Sequence, residues 1–178
     1  SSHLLATLAE ANCLVLVDPR GLRGPHRRPG GRRVPRAARL IGVHPGWPAE
    51  LGPLRVRGGV VTVRSVRLRD AAAWSRLRTA DRRHLEPWEP TGDSSWDARH
   101  HISVWPGMYR SLRAEARKGH MLPMAIELDG QFCGQLTVGN IVRGALRSAW
   151  IGYWVSKDVN GMGGVATAAV ALGLDHCF

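Results

Sequence analysis

Gly161-Met-Gly-Gly-Val-Ala-Thr167 carries the plainest chemistry in this 178-residue chain. Three glycines in four residues free the backbone N–H groups from side-chain bulk. The apolar run Ala168 to His176 behind them reads as a helix. N–H groups at a glycine-rich helix entry make a site for phosphate. Ahead of the loop, Ser148-Ala-Trp-Ile-Gly-Tyr-Trp-Val155 reads as a strand, and Ser156-Lys-Asp-Val-Asn160 as a short connection. Strand, loop and helix together predict binding of a phosphorylated cofactor.

Two phosphate-binding patterns compete for these residues. Gly161-x-Gly163-x-x-Ala166 fits the dinucleotide fingerprint G-x-G-x-x-A. That fingerprint directly follows the first strand of its domain and has an acid about 20 residues further on. Here three antiparallel-looking strands come first, five residues separate loop from strand, and twelve residues follow Ala166. The P-loop requires Gly-Lys-Ser/Thr, which this loop lacks. A nucleotide-dependent oxidoreductase is therefore disfavoured. A glycine-rich helix entry without a ligand is the bland alternative.

The elements that must position the loop begin near Gly59. Val60 to Leu68 alternates as a strand, and Asp70 is a good N-cap for a helix through Ala80. Leu85-Glu-Pro-Trp-Glu-Pro90 stops that helix with two prolines. Ser94 to Lys118 carries a helical apolar stripe of Ile102, Trp105, Met108, Tyr109 and Leu112, with a kink expected at Pro106-Gly107. Leu122 to Leu128 and Gln131 to Val138 are strands joined by Asp129-Gly130, a dipeptide suited to a type I′ turn. Arg143-Gly144 marks a further turn. The order β-α-α-β-β-β-α predicts an α+β domain with a mixed sheet.

The first 58 residues read differently. Residues 1–18 spell a helix, with Leu4, Leu5, Leu8 and Ala11 on one face, running into a strand over Leu14 to Val17. Residues 19–39 are rich in Arg, Gly and Pro and lack periodicity. Residues 40–58 continue as a Pro/Gly-rich loop, so 19–58 is expected to be a disordered linker. Eight arginines between 20 and 39 account for most of the net charge of +11, leaving the rest of the chain nearly balanced. That tract motivates an alternative function, a non-catalytic RNA- or ribosome-binding protein, set against a spurious join carrying no function.

Apolar content of 44% and charged content of 22% are ordinary for a globular domain. No apolar run has the roughly 18 residues of a membrane span. Without a basic, apolar leader the chain is expected to be cytoplasmic. Cys13, Cys133 and Cys177 form no C-x-x-C pair and are expected to be reduced core thiols. His100-His101 point apart on a helix, so exposed histidines rather than metal ligands are expected, and no metal is assigned.

Against this background residues 59–178 resemble the GNAT superfamily of N-acetyltransferases. The signature Q/R-x-x-G-x-G/A of that family is matched at Gly164 and Ala166, with Gly161 standing where Gln or Arg is usual. Ile151-Gly-Tyr-Trp-Val155, Gly164-Val-Ala-Thr167, Leu85-x-Pro-Trp88 and the hairpin Glu127-Leu-Asp-Gly-Gln131…Cys133-Gly-Gln-Leu136 resemble the ribosomal-protein-alanine (RimJ/RimL) type. Residues 1–18 resemble the C-terminal end of a molybdopterin molybdenumtransferase.

The resemblance implies transfer of acetyl from acetyl-CoA to a primary amine, often an N-terminal alanine of a ribosomal protein, with no metal. In the family a bulge late in the fourth strand presents backbone N–H groups to pantetheine and the acetyl carbonyl, which carries over to Trp154 and Val155. The pyrophosphate role carries over to Gly161, Met162, Gly163, Gly164, Val165, Ala166 and Thr167. Trp88 and Glu89 would border the acceptor groove, and Trp105 either joins them or packs in the core. No general base is assigned among Glu86, Glu89 and His84, and Glu127 is expected to be structural. The family's fifth strand, fourth helix and last strands have no counterpart before Phe178, so a truncated domain with an unpaired fourth-strand edge and doubtful turnover is expected.

Overall fold

The computed structural model describes residues 46–90, 92–143 and 147–177, and the strand backbone of residues 6–8 and 13–17. Seven strands form one sheet: β1 (Ala6–Leu8), β2 (Cys13–Val17), β3 (Glu50–Val56), β4 (Gly59–Ser65), β5 (Leu122–Leu128), β6 (Gln131–Arg143) and β7 (Arg147–Val155). Their spatial order is β1-β2-β7-β6-β5-β4-β3. Between β4 and β5 lie α1 (Ala71–Ala80), α2 (Arg82–Leu85), α3 (Trp96–His100) and α4 (Trp105–Lys118); α5 (Val165–Cys177) follows β7.

The helices cover both faces of the sheet. Helices α1 and α4 pack on one side and α5 on the other, across β3, β4, β6 and β7. A strand covered on both faces loses its polar alternation. Accordingly Leu122 through Ile126 of β5 are buried without interruption. Full burial of side chains such as Ile126, Leu136 and Ile151 contributes about 1.5–3 kcal/mol each. Helix α5 approaches closely because its inner face is Val165, Ala168, Ala169 and Gly173; a Cβ at Gly173 would stand 3.1 Å from Leu136.

Asp129 (φ 49°) and Gly130 (φ 78°) form the expected two-residue turn, with Leu128 opposite Gln131. Both angles are positive, as a type I′ turn requires. The Asp129 carboxylate also accepts from the Val60 N–H at 2.9 Å, fastening this turn to β4.

Several expectations need correcting. All described strand pairs are antiparallel, so the sheet is not mixed; a parallel neighbour needs a crossover, and no described strand follows α5. Residues 40–58 are not all loop, because β3 pairs with β4 from Glu50↔Arg64 to Val56↔Gly59. Gly52 and Pro53 sit in a register shift that lets an edge strand carry them. Ala6–Leu8 is a strand rather than helix, whereas Cys13–Val17 is the expected strand. The long helix breaks at residues 101–104, not at Pro106, which takes the first turn of α4 where its missing N–H costs nothing. The expected disorder over 19–45 and the Arg143-Gly144 turn's second half lie outside the described residues.

Trp47 belongs to the core, and His176 Nε2 bonds the Gly46 carbonyl at 3.0 Å. Deleting residues 1–58 is therefore expected to lower the melting temperature strongly, since loss of a buried Trp alone costs about 3–5 kcal/mol. An unchanged thermal melt for residues 59–178 would show that β3 and Trp47 add nothing to the fold.

Candidate active site

The loop leaving β7 is built in two stages. The Ser156 N–H donates to the Cys133 carbonyl at 2.8 Å, closing the β6–β7 ladder, and a 3-10 turn follows over Lys157–Val159. The Lys157 N–H donates to the Asp81 carboxylate at 2.8 Å, pinning that turn beneath the end of α1. Gly161, Gly163 and Gly164 then adopt φ of 84°, 82° and 97°. Side chains rarely accept such angles, so three glycines are a backbone requirement here.

This geometry forms an open cradle. A Cβ at Gly161 would meet nothing within 4 Å, and one at Gly164 would meet only Val56 Cβ at 4.0 Å. The first-turn N–H groups of α5 have no intrahelical acceptors and sit at the positive end of its dipole. Gly161, Met162, Gly164 and Thr167 are exposed, Gly163 and Ala166 half-buried, and Val165 anchors the helix in the core. The cradle fits a phosphate group on the N–H donors it presents.

The end of β7 lies beside the cradle. Strand β2 pairs with β7 from Val17↔Ser148 to Cys13↔Gly152, so the edge expected to be unpaired is covered along its first part. No ladder partner flanks Tyr153 to Val155 on that side among the described residues. Because Ser156 donates toward β6, alternation turns the Trp154 N–H toward β6 too and the Val155 N–H toward the open edge. The register shift between β6 and β7 occurs at Gly139/Val142, near the start of β7 rather than late in it.

On the other face, Trp154 is 8% exposed and its Nε1 donates to Gln135 at 3.1 Å. The Arg78 guanidinium stacks 4.4 Å from its ring centroid. Arg78 also bonds the Glu89 carboxylate, which lies 3.5 Å from His100 Nε2 and 3.8 Å from Arg99. Arg78 thus ties the segment holding Trp88 and Glu89 to the strand beside the cradle. Trp88 is 50% exposed, while Trp105 is fully buried with its Nε1 donating to the Arg67 carbonyl. Of the three acidic or basic groups around the Pro-Trp segment, Glu86 pairs with Arg82 in solvent and His84 stays half-buried.

His100 is not exposed as expected. Its Nδ1 bonds the Trp96 carbonyl at 2.8 Å and its ring packs 4.0 Å from Trp96, whereas His101 is exposed against Ser103. Cys133 is buried, with its thiol pushed up to about 12 by burial and by the charge of Glu127. Such a thiol stays protonated at neutral pH and is no nucleophile. Cys177 is exposed, not a core thiol, and the side chain of Cys13 lies outside the described residues. No cluster of His, Cys, Asp and Glu among the described residues could hold a metal.

Burial works to raise the Glu89 carboxyl, but the hydrogen bond from His100 and the charges of Arg78 and His100 hold it below the usual carboxylate range. Burial pulls the Arg78 guanidinium down even beside Glu89. The two directions disagree about what the pair gains. Arg78 stays charged because its ordinary value is far above neutrality, so removing the carboxylate would leave a buried cation. A depressed carboxyl stabilises the fold above its ordinary value and loses that contribution as pH falls through the lower folded value. Glu89→Gln is expected to cost about 2 kcal/mol at neutral pH and to converge with the parent below about pH 4. Melting curves across pH check this; a constant difference would contradict the ionised pair.

Arg78 does not stand out in the sequence. Arg78 carries the look of a solvated helix residue, and its partner Trp154 is 76 positions away.

The cradle, the open strand end and the α+β sheet match the acyl-CoA N-acyltransferase fold of the GNAT superfamily of N-acetyltransferases. Within that superfamily its likeness in sequence is to a RimJ. It is 64% identical to Mycobacterium smegmatis RimJ in complex with CoA-disulfide, over 75% of this chain and 63% of that one, with a TM-score of 0.73. The chain thus spans less than two thirds of that relative's length. The ribosomal-protein-S5-alanine acetyltransferase of Vibrio fischeri (20% identity, 65% of this chain and 62% of that one, TM-score 0.54) shares the fold. So does RimL, a ribosomal L7/L12 alpha-N-protein acetyltransferase in complex with coenzyme A (14% identity, 72% and 67%, TM-score 0.57). No family model and no curated protein matches the chain.

Proposed function

We propose that this chain is an acetyl-CoA-dependent N-acetyltransferase of the cytoplasm whose acceptor is the N-terminal amine of a ribosomal protein, alanine in particular. The observation that carries the reading is the cradle of positive-φ glycines opening α5 beside the uncovered end of β7. The 64% identity to a RimJ holding CoA-disulfide supports the same assignment.

Bound acetyl-CoA supplies a thioester-activated acetyl group. The chain's part is to hold and orient. Backbone N–H groups of Gly161 and of Gly163 to Thr167 take the pyrophosphate through charge-assisted bonds, the Met162 N–H being donated to the Val159 carbonyl at 3.2 Å. The Val155 N–H, fixed at the open edge, is the donor placed for the acetyl carbonyl as charge develops on it. Trp154 meets its backbone obligations on the β6 side, so its contribution is the ring packed under Arg78. Glu89 already faces Arg78, Arg99 and His100, which suits it to holding the Trp88 segment in place rather than to accepting the amine's proton. Exposed Trp88 then forms an apolar rim for the acceptor peptide.

The test incubates the full chain with acetyl-CoA and peptides beginning with alanine, with serine, or with a blocked amine, read by mass spectrometry. Because β2 covers the first part of the β7 edge whose exposure made turnover doubtful, acetylation of the alanyl peptide and none of the blocked peptide is expected. A chain that binds acetyl-CoA yet modifies none of the peptides would contradict the acceptor reading.

A further inference from the structure

We propose that Arg57, from the β3–β4 turn, is a direct ligand of a CoA phosphate and the side-chain cation of the cradle; the inference rests on the cofactor reading above. Residues 156–167 carry one cation, Lys157, and one anion, Asp158, so the loop itself offers a polyanionic ligand no net charge. Its attraction is confined to backbone dipoles.

The two-residue turn Arg57-Gly58 is pressed against that loop. A Cβ at Gly58 would lie 2.3 Å from the Met162 carbonyl oxygen, so only glycine lets the turn come so close. The stem of Arg57 runs along Gly163, where a Cβ would lie 2.7 Å from Arg57 Cβ, 3.2 Å from Cγ and 3.1 Å from Cδ. Val56 Cβ is the nearest neighbour of the Gly164 position, at 4.0 Å. Arg57 is exposed, and among the described residues its guanidinium makes no hydrogen bond or ion pair. A guanidinium on a three-carbon stem that runs along a phosphate cradle, without a partner among the described residues, is suited to bidentate phosphate contact.

The same contacts set Gly163 apart from the other two loop glycines. Gly163 is occupied by the Arg57 stem, whereas Gly161 and Gly164 face open space where the ligand would lie. Arg57 and the helix end therefore border the cradle from two sides.

The experiment is calorimetric titration of the full chain, Arg57→Ala and Arg57→Gln with acetyl-CoA and with 3′-dephospho-CoA, thermal melts confirming that each variant is folded. Both variants are expected to bind acetyl-CoA at least about tenfold more weakly, the scale of one charge-assisted contact. An equal loss against 3′-dephospho-CoA supports contact with the pyrophosphate, and a loss confined to acetyl-CoA supports contact with the 3′-phosphate. Parent-like affinity in both folded variants overturns the inference while leaving the cofactor reading intact. Failure of the unaltered chain to bind acetyl-CoA overturns that reading and this inference with it.

Discussion

Gly164→Asp is expected to abolish acetyl-CoA binding. The residue sits at φ 97°, so any side chain there carries backbone strain of about 1–3 kcal/mol. Its Cβ would nonetheless have room, with Val56 Cβ no nearer than 4.0 Å. The variant should therefore fold, and its carboxylate would enter the space before the helix N–H groups. Each charge-assisted phosphate contact is worth roughly 1.5–3 kcal/mol, so losing two or more lowers affinity at least about a hundredfold. Gly164→Ala shares the strain without the charge and should retain part of the affinity. Parent-like titration of the Asp variant would remove this loop from the cofactor site.

The second large effect is on stability. Arg64 on β4 is buried and donates to both Asp70 oxygens, at 2.9 and 2.8 Å, and through Nε to Glu127 at 2.7 Å. Burial works to lower this guanidinium, yet the bonds and charges of Asp70 and Glu127 raise it. Asp70 also accepts from the Arg67 N–H at 2.7 Å, so one carboxylate joins β4, the start of α1 and the turn between them. Asp70→Ala leaves a buried cation short of its bidentate partner, at about 3–5 kcal/mol. In a domain of this size that lowers the melting temperature by roughly 10 °C. A shift of a degree or two in a thermal melt would mean the network is not what fixes helix to strand.

Much of this arrangement was legible from residue types because it depends on neighbours in sequence. Asp129-Gly130 needs positive φ at both positions, and the glycine loop needs it at three, so composition reports geometry directly. Asp70 was placed correctly at the start of α1, but its carboxylate serves Arg64 rather than capping the helix. Glu127 was expected to be structural, and its bond to Arg64 is the reason.

What sequence missed was set by tertiary contact. Edge strand β3 hides behind Gly52-Pro53, residues that punctuate loops when read locally but are tolerated at an edge with a register shift. His100 looks like a surface residue beside His101, and becomes a core residue only because Trp74 and Trp96 close on it. Pro106 opens a helix instead of kinking one, a choice that turns on where the preceding helix ends. Arg57 stands next to Gly163 only after the sheet has brought residues 106 positions apart together.

Amide hydrogen exchange of the full chain with and without acetyl-CoA, resolved to short peptides, tests the central claim most directly. The ligand should slow exchange at Gly161 to Thr167 and at Val155, with the opposite end of the sheet, where the Ile141 N–H donates to the His120 carbonyl, unchanged. Binding accompanied by no protection in the 155–167 segment would contradict the account.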